Sequence, residues 1–189
     1  MFSLRSFRLA AFAMVSAAGV ASAQAGLTSN PVQTVTINAT KPAALTVTIN
    51  SGAAQTLATL TDNVANNFAT PVNITTAWSV NPGLTASVSL VGYFSTPAQA
   101  LANGTDFIPT TYMKGRIGAV GAFNAFTQNA VGTVGTAGGS LALFTTNITG
   151  ANKNASRTDD LFLQIDLTGA PLATAGTYTG TLNLRAVTQ

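Results

Sequence analysis

Apolar and polar residues alternate with a period of two along most of this chain. Leu45, Val47 and Ile49 alternate with Thr46, Thr48 and Asn50. Val72, Ile74, Thr76 and Trp78 share one side of the stretch after Pro71, and Leu161, Leu163, Ile165 and Leu167 share one side of theirs. A period of two turns one face of a strand to a core and the other to water. Weaker versions of the rhythm predict strands over Val32–Ile37, Gln55–Leu60, Leu84–Phe94 (with Leu84, Ala86, Val88 and Leu90 aligned) and Leu141–Thr149. The last stretch, Ala175–Gln189, reads as a turn feeding a closing strand, with Tyr178, Leu182, Leu184 and Ala186 on one side and Thr177, Thr179, Thr181, Asn183 and Arg185 on the other.

Breaks fall where turn chemistry predicts them, at Lys41-Pro42, Asn50-Ser51-Gly52, Asn81-Pro82-Gly83 and Asn103-Gly104. Gly92 predicts a bulge or strand end near Val91–Tyr93. Ser95–Ala102 leaves the strand period, and Pro97 suits the first turn of a short helix. Phe107–Pro109 and Tyr112–Ile117 predict short edge strands, and Gly150–Asp160 a polar connection. From 118 to 140 the chain is poor in charge and rich in Gly, Ala and Thr, which predicts a flexible loop pinned by Phe123 and Phe126. With roughly eight to ten strands and no helices for crossovers, the pattern predicts an all-β fold. The expected form is a single antiparallel β-sandwich of the immunoglobulin-like or jelly-roll type, with at most one short helix. Trp78, the only tryptophan, is expected to anchor its core.

The first residues are of a different kind. Arg5 and Arg8 precede an apolar run from Leu9 to Val20, and Ala21-Ser22-Ala23 has the small-x-small form of a cleavage site. This is the three-part pattern of a secretory signal over 1–23, leaving 24–189 as one domain. The run is too short to cross a bilayer and no second one follows, so no membrane span is expected in the mature chain. The Ala-rich signal points to a bacterium, with the product in the periplasm, at the cell surface or secreted. Removing it changes the charge picture: six remaining basic residues against five acidic ones give a net charge of +1. No basic patch is left to argue for nucleic acid.

Composition narrows the chemistry. The chain has no Cys, no His and no Glu, and its acidic residues are Asp62, Asp106, Asp159, Asp160 and Asp166. Charged residues make up 7% of the chain, while 47% are hydrophobic, a balance that folds rather than disorders. Zinc sites and the Ser-His and Cys-His pairings have no residues to build them. Asp159-Asp160 is the one close carboxylate pair, expected in a solvated turn with Arg157 as partner to one of them. No cofactor and no catalytic activity are expected.

The end of the chain carries a resemblance. Gly176-Thr-Tyr-Thr-Gly-Thr-Leu-Asn-Leu184, closing an exported sandwich, resembles bacterial surface proteins of the spore coat protein U and pilin-like group, although the chain lacks the cysteine pair common there. The resemblance implies a filament role in which an N-terminal segment of one subunit completes the sheet of the next. Val32, Val35 and Ile37 would form the exchanged strand.

Two functions follow as expectations. One is a non-catalytic structural or adhesive surface protein, a pilus-like subunit whose partners are copies of itself or related surface subunits. The other is an extracellular module binding carbohydrate or another ligand, with Tyr93, Phe94, Phe107 and Tyr112, in the least regular segments, as the rings on which a glycan would stack.

Overall fold

The structure, a computed structural model, describes residues 34–189. The signal over 1–23 and Val32 lie outside the described residues. The chain divides into two units, Met1–Thr40 and Lys41–Gln189. Of the first, residues 34–40 carry no regular structure and are exposed throughout. Val35 and Ile37, expected within a strand, join no strand among the described residues and are 85% and 86% exposed.

The second unit holds eleven strands: β1 (Ala44–Ser51), β2 (Ala65–Asn67), β3 (Val72–Ser79), β4 (Ser87–Tyr93), β5 (Leu101–Asn103), β6 (Asp106–Ile108), β7 (Met113–Ile117), β8 (Asn124–Ala125), β9 (Ser140–Asn147), β10 (Asn154–Asp166) and β11 (Asn183–Thr188). The expected short helix is a single 3-10 turn at Pro97–Gln99. One sheet runs β1-β3-β10-β7-β8 with β2 added on β10, a second runs β11-β4-β9, and β5 and β6 form a hairpin. Every pairing is antiparallel. The fold is an all-β antiparallel sandwich.

The main core lies between the sheets, where Val72 and Ile74 of β3, Leu161, Leu163 and Ile165 of β10, and Leu90 of β4 are buried together. Trp78 is buried with Val88 and Ile148, and its indole Nε1 donates 2.8 Å to the carbonyl of Asn152, satisfying its one polar atom. The centre is set by Phe126. Its ring is fully buried, stands edge-on to Phe94 at 5.3 Å, and fills the space left by Gly92 of β4 and Gly115 of β7. A Cβ on Gly92 would come within 2.9 Å of the ring, and one on Gly115 within 3.1 Å. Gly92 therefore sits inside a strand as a socket for an aromatic ring, and the ladder irregularity falls beside it, between Leu90 and Val91.

The Gly-rich stretch is anchored at Phe126 and again at Val134, which is buried with Val91 and Val187 on the far face of the three-stranded sheet. Gln128 and Ser140 hydrogen-bond across its base. Four expected boundaries move. Leu84 is 85% exposed because its N–H and that of Thr85 donate to the carbonyl of Asn81, which makes a turn of the residues before β4. Gln55–Leu60 joins no ladder. The closing strand begins only at Asn183, and β10 begins at Asn154, so Arg157, Asp159 and Asp160 lie on a strand and not in a connection.

Candidate docking cleft

β1 and β11 run beside each other along one side of the sandwich, and among the described strands each is paired on one edge only, β1 with β3 and β11 with β4. Beyond Ser51 and before Asn183 the chain leaves the ladders, and between 53–60 and 176–182 a cleft of about 580 Å³ opens. Leu57, Leu60, Tyr178 and Leu182 stand at its walls, while Phe94 and Leu163 carry its floor down to the main core. No Asp, Lys or Arg lines it. The sheets thus present an uncharged opening, with Thr and Gln among its aliphatic and aromatic lining, flanked by strand edges that pair with no further strand among the described residues.

Local contacts fix both walls. The 176–182 wall is tied to β5 by one bridge, where Ala102 and Thr179 exchange hydrogen bonds of 2.8 and 3.0 Å. Gly180 lies so close to the carbonyl of Ala100 that no side chain fits. The opposite wall is fixed at its far end by Asn66, 7% exposed, whose side chain accepts from the Thr61 N–H at 2.8 Å and donates to the Thr61 carbonyl at 2.9 Å. Asp62 accepts from the Ala173 N–H at 2.9 Å, joining the loop after one wall to the loop before the other.

The other side of the sandwich is built differently. β7 pairs with β10 only over Leu161–Ile165, so Asn154–Asp159 has β3 on one edge and no strand on the other among the described residues. Arg157 and Asp159 share the inward parity of Leu161 and Leu163. The Arg157 Nε donates 2.6 Å to one oxygen of Asp159 and a terminal N–H to the other, and the guanidinium lies over the Phe144 ring of β9 at 3.9 Å. Asp160 takes the outward parity and accepts from Asn73 at 2.6 Å, beside a Thr75–Thr158 hydroxyl contact of 2.9 Å. The expected Arg157 partnership is present, but on a strand, and the two carboxylates diverge as alternation requires.

A second ion pair joins Lys114 of β7 to Asp166 of β10, with Nζ donating 2.6 Å to Oδ2. That bond, helped by the Thr168 N–H on Oδ1 at 3.0 Å, lowers the Asp166 carboxyl to about 2. Among the described residues no three acidic side chains gather as metal ligands, and no helix is long and apolar enough to cross a membrane.

The four candidate stacking rings do not share a face. Tyr93 is half-buried against Val91 and Val134, Phe94 is buried in the main core, Tyr112 is half-buried against that core, and only Phe107, at 42%, is exposed. Phe94 instead contributes to the cleft floor. The cleft walls carry no local signal in the sequence, because their apolar residues come from segments more than a hundred positions apart. Comparison with known proteins finds no matching protein-family model, curated protein or solved structure.

Proposed function

We propose that this chain is a non-catalytic structural subunit of an exported surface assembly, in which the Val32–Ile37 segment of one copy fills the β1–β11 cleft of the next. The observation that carries this reading is the cleft: an uncharged opening, aliphatic and aromatic at its floor, that reaches the core beside two strand edges which pair with no further strand among the described residues. An open edge of this kind templates the addition of a further strand.

The same chain carries a segment of matching chemistry. From Gln24 to Thr40 it has no charged residue, and Val35 and Ile37 stand on alternate positions with their side chains in solvent. Extended, 34–40 spans roughly 23 Å at about 3.3 Å per residue, the length of an ordinary strand. Docked, it would bury both side chains, worth about 1.5–3 kcal/mol each, and add backbone hydrogen bonds along the edge. Export through the 1–23 signal would place this assembly outside the cytoplasm, in the periplasm or at the surface of a bacterium.

Size analysis and electron microscopy of the full chain test the proposal, comparing it with a Val35→Asp, Ile37→Asp variant. Assemblies in the parent that are lost in the variant support it. A parent chain that stays monomeric at high concentration refutes it.

A further inference from the structure

The sandwich has two open sides, and they differ in one respect. The β1–β11 side is lined without charge, whereas on the β9–β10 side a guanidinium and a carboxylate point inward between the sheets. We infer that the Arg157–Asp159 pair, stacked on Phe144, closes the β9–β10 side to strand addition and confines docking to the β1–β11 cleft. Its consequence for the direction of assembly rests on the function proposed above, but the closure itself does not.

The edge it guards is otherwise open. Asp160 turns its carbonyl toward β7, accepting from the Gly118 N–H at 2.8 Å, so by alternation Ser156 and Thr158 turn their backbone groups the same way. No strand meets them among the described residues. β9 is likewise paired with β4 on one edge, and over Leu143–Asn147 its other edge meets no strand among the described residues. An incoming strand bonded to Ser156 and Thr158 would direct alternate side chains into the space between β10 and β9. That space is held by Arg157 and Asp159, whose side chains are 34% and 10% exposed, and by the Phe144 ring beneath them.

Strand addition there would separate the ion pair or lift the guanidinium from the ring, leaving charge in a partly desolvated site with its partner removed. Breaking such a pair costs far more than forming it contributes. Inward-pointing charge on an edge strand is a recognised means of blocking pairing between sheets. The ring adds geometry: a planar guanidinium stacked on an aromatic face is held in one orientation, which a lysine at the position would not reproduce.

The test uses the full chain in the Val35→Asp, Ile37→Asp background, where the proposed donor is disabled and any association comes from elsewhere. Adding Arg157→Ala and Asp159→Ala is expected to shift the molar mass in light scattering from one chain to two or more. Two further variants identify the cause. The charge swap Arg157→Asp with Asp159→Arg keeps a charged pair in place and is expected to stay monomeric. Thr158→Pro, added to the double alanine variant, removes an edge N–H, leaves the backbone ladder to β3 in place while losing the exposed hydroxyl contact with Thr75, and is expected to return it to the monomer. A folded double alanine variant that stays monomeric overturns the inference, as does association that survives Thr158→Pro. Neither result depends on whether the parent chain assembles, so this inference and the proposed function fail separately.

Discussion

Substituting Gly92 by alanine places a methyl group 2.9 Å from Cε1 of Phe126, where carbon atoms attract best at about 3.5–4.0 Å. The ring has little freedom to retreat, because Gly115 holds its other side and Phe94 meets its edge at 5.3 Å. Overpacking of this kind costs about 1–3 kcal/mol. Phe126→Ala is expected to cost about 3–5 kcal/mol, toward the upper end because the neighbouring glycines have no side chains with which to fill the void. The informative variant is the double one. Once the ring is gone, the Gly92 methyl enters empty space, so its penalty should fall to about zero and the coupling between the sites should reach about 1–3 kcal/mol. Urea unfolding followed by the fluorescence of Trp78, the only tryptophan, supplies all four corners of the cycle. Single-variant costs that add to within about 0.5 kcal/mol would refute the socket, because residues in contact do not behave independently.

Three further outcomes are expected. Thr76 is 1% exposed and its hydroxyl has no hydrogen-bond partner among the described residues, so Thr76→Val should stabilise the domain by about 1 kcal/mol in the same unfolding assay. Trp78→Phe leaves the Asn152 carbonyl without its donor and should cost about 1–3 kcal/mol, read by thermal melting in circular dichroism. Asp166 has a folded-state value lowered from 3.8 to about 2 by its Lys114 hydrogen bond. Its contribution is therefore complete above about pH 4 and lost as pH falls toward 2. With both side chains partly in solvent it amounts to about 1 kcal/mol, and Lys114→Met should flatten the fall in urea midpoint between pH 5 and pH 2.5.

The sequence was most legible where local alternation and burial agree. β1, β3 and the second half of β10 fall where Leu45, Val72 and Leu161 begin their runs, because a strand with one wet face writes its period directly into the chain. It was least legible where a partner far along the chain decides the outcome. Leu84 looks like the first inward residue of β4, but the Asn81 carbonyl captures its N–H first. Gly92 reads as an interruption, and only the approach of Phe126 from another segment shows that it is a fitted space. Arg157 and Asp159 look like loop polarity until β3 supplies a ladder and Phe144 a surface beneath them. Phe94 lies beside Tyr93 and shares its aromatic character, yet the pleat buries one in the core and leaves the other half-exposed on the opposite face. The cleft has walls from 53–60 and 176–182 and no local signature at all.

The proposed docking places one copy's extended segment in the opening beside β11 of another, and the absence of cysteine makes it directly measurable. Copies carrying Val35→Cys are mixed with copies carrying Thr181→Cys, an exposed position on the cleft wall, and oxidised under mild conditions. Mixed disulfide-linked dimers are expected, formed in preference to those with a control cysteine at Thr46 on the outer face of β1. Equal cross-linking to both positions, or none to Thr181→Cys, would contradict it.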